Sequence, residues 1–135
     1  KQIPLRQRWL AVVTRAPGEV LLQKRPDSGI WGGLWAPPEF EEASAAKTWI
    51  ATTLSLPAER CRIDDPFHHT FTHFRLEAHP VRAQCTENHP GAISVESHAD
   101  HLQWFALHPP PSVGLPAPIV RLLAKLGEEN PPRSN

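Results

Sequence analysis

The sequence carries no excess charge of either sign: 14 Lys and Arg balance 14 Asp and Glu. The basic surplus that marks a free-standing nucleic-acid binder is therefore missing. No apolar run approaches the roughly 18 residues that a membrane-spanning helix needs, and no signal-peptide pattern opens the chain. Cysteine is scarce. Cys61 and Cys85 form no CxxC or other metal-ligand spacing, and two unpaired, buried thiols are expected of a protein in a reducing cytoplasm.

What is present fits one globular domain. The 135 residues are 40% hydrophobic, enough to bury a core. The opening "KQIPLRQRWL" lacks Met, so a longer parent protein is expected, and the Pro-rich close "GEENPPRSN" reads as a disordered tail. This places a domain at residues 1–127 and a tail at 128–135. Lys1, Arg6, Arg8, Arg15, Lys24 and Arg25 gather positive charge in the first strands. They suit either charge-guarded strand edges or a phosphate-facing patch.

Periodicity supplies the elements. "WLAVVTR" (9–15) and "EVLLQKR" (19–25) read as strands joined by the turn "APG". A helix is predicted over Glu41–Leu56 with Ala45, Ala46, Trp49, Ile50 and Leu54 on one face, ended by Pro57. Thr52 and Thr53 weaken its last turn. "RCRI" (60–63) suits a short strand, "FHHTFTHFRLEAHPVRAQ" (67–84) two strands about a tight turn, and "HLQWFALH" (101–108) another. "APIVRLLAKLG" (117–127) reads as an amphipathic helix stopped by Gly127. Strands flanked by two helices give an α/β domain with a mixed sheet.

Residues 33–55, "GLWAPPEFEEASAAKTWIATTLS", carry the frame G-x5-E-x7-R-E-U-x-E-E-x-G-U, with U aliphatic, but complete only its start. Gly33 and Glu39 fit. Lys47 and Thr48 stand where the frame has Arg-Glu, Ala51 and Thr52 where it has a Glu pair, and Leu54 where it has its second Gly. The frame resembles the Nudix box of metal-dependent diphosphate hydrolases. Mg²⁺ takes hard oxygen ligands, and a helix offers several carboxylates together only at spacings of three and four. Glu41 and Glu42 open the predicted helix and no acid follows, a pattern that suits dipole compensation better than metal binding.

Two other stretches admit chemistry. "HHTFTH" contains His68, His69 and His73. A His69–His73 zinc pair would need a helix, whereas the surrounding Thr and Phe favour a hairpin. Such a hairpin either exposes histidines to solvent or presents an aromatic ring, a hydroxyl and an imidazole to a base and its phosphate. In "GIWGGLW" the tryptophans are core anchors with close-approach glycines, or a base-stacking platform.

Taken in order, "LLQKRPDSGIWGGLWAPPEFE", "FHHTFTHFRLE", "WFAL" and "GLPAPIVRLLAKL" closely resemble the C-terminal domain of MutY-type adenine DNA glycosylases, across residues 5 to 127. The resemblance implies a Nudix-like α/β fold, a mixed β-sheet with flanking helices and a degenerate box, kept for nucleobase recognition. It implies recognition of 8-oxoguanine opposite adenine in double-stranded DNA, so that a separate N-terminal helical domain can excise the adenine. The catalytic acids and an iron–sulfur cluster belong to that domain, so no catalytic residue and no cofactor is expected in this chain. The expected partners are the lesion-containing duplex and the N-terminal domain, in a cytoplasmic monomer.

Relatives place a Phe-Ser-His hairpin tip against the damaged base, and the matching residues here are Phe71, Thr72 and His73. By this resemblance Phe71 wedges or stacks at the base step, Thr72 reads the base edge, and His73 supports the hairpin or reaches a phosphate. 8-Oxoguanine differs from guanine by an N7–H donor and an O8 acceptor, so a hydroxyl can accept from N7–H while an amide donates to O8. Guanine leaves such a site partly unsatisfied, at about 1–3 kcal/mol. Thr in place of Ser keeps the hydroxyl but adds a methyl and restricts χ1. The alternatives are a Nudix hydrolase of modified nucleotides and a structural interaction domain in which Phe71 to His73 simply pack.

Overall fold

The computed structural model describes residues 3–85 and 101–131. Lys1 of the basic group and the tail from residue 132 onward lie outside the described residues.

Strand β1 (Leu5–Arg15) organises the molecule. It pairs antiparallel with β2 (Glu19–Lys24) through the Thr14–Val20 register. On its other side it runs parallel to β7 (Arg75–Cys85) along its whole length, from Leu5–Arg75 to Arg15–Cys85. Two short strands follow from the Trp-rich loop: β3 (Trp35–Ala36) joins β2, and β4 (Glu39–Phe40) joins β1 at Trp9–Phe40. Strands β5 (Arg62–Ile63) and β6 (Phe67–Thr70) both pair antiparallel with β7, and β8 (Leu102–Ala106) closes on β2. The result is an eight-stranded mixed sheet.

Successive strand side chains point to opposite faces, and both faces are covered here. That is why residues 9–13 of β1 read as an unbroken apolar run instead of an alternating one. Ala11 and Val13 lie with Leu21, Val81, Ala83 and Trp104 under α1 (Ala43–Leu54), which contributes Ala46, Ile50 and Leu54. Leu10 and Val12 lie with Val20, Leu22, Leu76 and Ala78 under α2 (Ala117–Glu129), which contributes Ile119, Leu123 and Leu126. Each fully buried aliphatic side chain of these two layers contributes about 1.5–3 kcal/mol. Among the described residues no helix is long and apolar enough to cross a membrane.

Both helices end differently from the sequence expectation. Helix α1 starts at Ala43, so Glu41 and Glu42 precede its first turn. It stops when Ser55 enters the left-handed region at φ 56°. In its Thr-rich last turn the Thr52 hydroxyl donates back to the Thr48 carbonyl at 2.9 Å. Ala45 is exposed and Trp49 only half-buried, so the core stripe is narrower than expected. Helix α2 passes through Gly127 to Glu129. Gly127 is there for clearance: a Cβ would meet the His108 ring at 3.3 Å. His108 Nε2 lies 2.9 Å from the carbonyls of Gly127 and Asn130, two acceptors that require Nε2 to carry the proton.

Candidate nucleic-acid interface

The loop between β2 and β3 sets the floor of the site. Gly33 N–H donates to the Pro26 carbonyl at 2.9 Å, and Arg25 N–H to the Leu34 carbonyl at 2.8 Å. A Cβ on Gly32 would sit 2.4 Å from the Asp27 carbonyl oxygen, so only glycine fits this turn. The turn forces Trp31 to φ 55° and drives its indole into the α2-side core at 8% exposure. Its buried Nε1 has no hydrogen-bond partner among the described residues. Trp35 packs against the same layer and meets Phe105 edge-on at 5.1 Å. Both tryptophans anchor the fold.

Upon this floor stands the β6–β7 hairpin. Phe71 N–H donates to the Phe74 carbonyl at 2.8 Å, leaving Thr72 and His73 as a two-residue tip. Neither tip residue lies at positive φ, as suits a β-branched Thr. Both are exposed, and neither makes a hydrogen bond to another described residue. Phe71 differs. Its ring stacks on Phe74 at 4.6 Å, meets His69 edge-on at 4.7 Å and leans on Trp31 at 6.4 Å. The three expected site residues thus stand together at one tip, two of them free and the ring half-buried. His69 and His73 belong to strand and tip, so the helical zinc pair does not form.

Phe74, which the sequence did not single out, and Arg6, one of its six basic residues near the start, complete this end. Phe74 is the second ring of the stack, and the Arg6 guanidinium carbon lies 4.5 Å over its centroid. Arg6 reaches it because the parallel register sets Arg6 beside Leu76. That pairing spans 70 residues of chain and leaves no local signal.

On the opposite sheet face Glu77 gathers donors. His68 Nε2 lies 2.9 Å and His79 Nε2 3.0 Å from its carboxylate, and the Gln7 amide 2.6 Å. The His68 bond, then that of Gln7, holds its pKa below the usual carboxylate range. His79 also stacks on Trp9 at 4.7 Å.

The degenerate box has a structural explanation for its one surviving acid. Glu39 Oε1 bonds Arg25 Nη2, while Oε2 is buried 3.5 Å from Arg8 Nε. The carboxylate is thus a clasp between β1, β4 and the Trp-rich loop. Thr48 and Thr52, at two acid positions of the box, are exposed on α1. Among the described residues no three His, Cys, Asp or Glu side chains gather where a metal ion could be held. Of the thiols, Cys85 is buried, and burial pushes its pKa up to about 11. Cys61 is only half-buried, not fully so as expected.

The comparisons agree with this fold. The NUDIX domain family matches residues 8–125. The adenine DNA glycosylase of Buchnera aphidicola subsp. Baizongia pistaciae (strain Bp) is 25% identical over 128 residues, 95% of this chain but 34% of the relative. The chain therefore spans about a third of that relative's length. Among solved structures, the C-terminal domain of mouse MUTYH, crystallised with human PCNA, is similar with a TM-score of 0.62 and 18% identity. That match covers 96% of this chain and 92% of the mouse chain. A MutT NUDIX hydrolase from Burkholderia pseudomallei matches with a TM-score of 0.63 and 23% identity, over 92% and 98% of the two chains. With its mixed sheet, flanking helices and family match over nearly its whole length, the chain belongs to the NUDIX domain family.

Proposed function

We propose that this NUDIX domain recognises 8-oxoguanine opposite adenine in duplex DNA, as the lesion-reading part of a MutY-type adenine DNA glycosylase acting in base excision repair in the cytoplasm. The observation that carries the reading is the hairpin tip: the Thr72 hydroxyl is exposed and unbonded, beside a Phe71 ring braced by Trp31, His69 and Phe74. The Thr72 hydroxyl accepts from the N7–H of the lesion, and the unbonded tip amides donate to O8. Guanine offers C8–H there, so those amides lose their acceptor. Since a hydroxyl both donates and accepts, the amide contact carries most of the discrimination. Phe71 acts as a fixed wedge and His73 stands ready for a phosphate.

Excision itself falls to the helical domain with its iron–sulfur cluster, which pairs with this one in the full enzyme. Hydrolysis of nucleotides is disfavoured by the clasped Glu39 and by Thr48, Ala51 and Thr52 at acid positions. The test is an anisotropy titration with duplexes holding 8-oxoguanine or guanine opposite adenine. Thr72→Ala should weaken lesion binding by about 0.5–1.5 kcal/mol, and Thr72→Ser should restore it. Equal affinity of the parent chain for both duplexes would refute the reading.

A further inference from the structure

We infer that Arg6 is a phosphodiester-binding residue, its guanidinium held ready by the Phe74 ring at the hairpin end. The inference rests on the reading of that hairpin as a DNA-contacting element and adds a backbone contact outside the tip.

The cations of the sheet are mostly neutralised. Arg8 and Arg25 share Glu39, Arg15 pairs with Glu19, Arg62 with Asp64, and Arg82 with Asp64 and Glu129. Arg6 is exposed and has no carboxylate partner among the described residues. Its contact is the Phe74 face, with the guanidinium carbon 4.5 Å from the ring centroid. A guanidinium over a ring engages through its flat face, which leaves its in-plane N–H donors free. Those donors form the fork that binds phosphate oxygens in pairs. The ring also removes part of the rotamer freedom that an exposed Arg otherwise loses on binding.

Placement supports the same conclusion. Phe74 stacks on Phe71, so Arg6, Phe74 and Phe71 form one continuous stack ending beside Thr72 and His73. Arg6 thus lies at the same end of the sheet as the tip, on the side where Phe74 and Phe71 stack. Arg75, next in register, lies one residue out of phase and so faces the other side of the sheet.

The experiment measures binding of this chain to 8-oxoguanine:A and guanine:A duplexes across about 50–200 mM salt. Parent, Arg6→Ala, Arg6→Lys, Phe74→Leu and Lys125→Ala proteins are compared, with melting curves for folding. Arg6→Ala should reduce the slope of log K against log salt by about 0.9. It should weaken both duplexes by one common factor, leaving the lesion preference intact. Phe74→Leu keeps the charge and hence the slope, but should lose about two- to fivefold in affinity as the guanidinium is released. Arg6→Lys should likewise keep the slope and bind more weakly. Lys125→Ala, an exposed charge on α2, should match the parent. An unchanged slope in folded Arg6→Ala, or a changed preference ratio, would overturn the assignment while leaving the lesion reading in place. A reduced slope in a protein with no preference for the lesion would support Arg6 and refute the lesion reading. Failure of the parent to bind any duplex would refute both.

Discussion

At the residue scale, position within the hairpin divides its labour. Phe71 is committed to packing on three rings, whereas Thr72 is committed to nothing. Phe71→Ala should therefore lose on two measures at once: stability by about 1–3 kcal/mol, below the range for a fully buried Phe, and preference for 8-oxoguanine:A over guanine:A. Melting curves and duplex titrations separate the two, and a folded variant with the parental ratio would show that the ring only packs. Glu77 makes a different prediction. Its folded pKa lies below the ordinary 4.5 because His68, then Gln7, donate to the carboxylate. The unfolded chain therefore takes up the proton first as pH falls. The stabilisation is complete well above pH 4.5 and is lost as pH drops through the lower folded value. Glu77→Gln has no such stabilisation to lose. Its melting temperature should fall less steeply than the parent's between about pH 5 and pH 3, and parallel curves would refute the role given to this carboxylate.

At the element scale, helix α1 separates packing from surface chemistry. It retains the buried stripe Ala46, Ile50 and Leu54 that seats it on the sheet, while its solvent side offers Thr48 and Thr52 in place of acids. Packing and metal binding use different faces of one helix, so one can be kept without the other. The chain should accordingly release no phosphate or pyrophosphate from nucleoside di- or triphosphates with Mg²⁺ or Mn²⁺, and metal-dependent release above a buffer blank would refute this. The broken frame was legible in the sequence, as were the β6–β7 hairpin with its tip, β8 and both helices, because each rests on local periodicity or spacing. The ends of the helices were less so. Gly127 reads as a stop, yet it is small because His108 packs on it from 19 residues away. Glu39 reads only as part of the broken frame, yet Arg8 and Arg25 clasp it across strands. Arg6 reads as one basic residue among six, and only the parallel β1–β7 register brings it to Phe74. Sequence periodicity reports which face a residue takes; it does not report which residue lies opposite.

At the scale of the molecule, the sheet carries two hydrophobic layers that share the same strands. Strand β1 sends Ala11 and Val13 into the α1 layer and Leu10 and Val12 into the α2 layer, and β7 divides Val81 and Ala83 from Leu76 and Ala78 in the same way. Neither layer can come apart without uncovering the back of strands that the other needs. The domain should therefore unfold in one transition. Leu10→Ala, in the α2 layer, and Leu21→Ala, in the α1 layer, should each lower stability by about 2–5 kcal/mol without splitting it. Denaturant curves read by far-ultraviolet circular dichroism and by tryptophan fluorescence provide the measurement. The fluorescence covers both layers, since Trp49 and Trp104 belong to one and Trp31 and Trp35 to the other. Coincident curves are expected for the parent and both variants; a second transition in Leu10→Ala, with α1 still folded, would show that the layers are independent. The outcome bears on the proposed lesion reading, because β7 flanks the hairpin tip and draws on both layers. If the two are coupled, damage in either should weaken duplex binding only through the folded fraction, and the lesion preference of the molecules that remain folded should be unchanged.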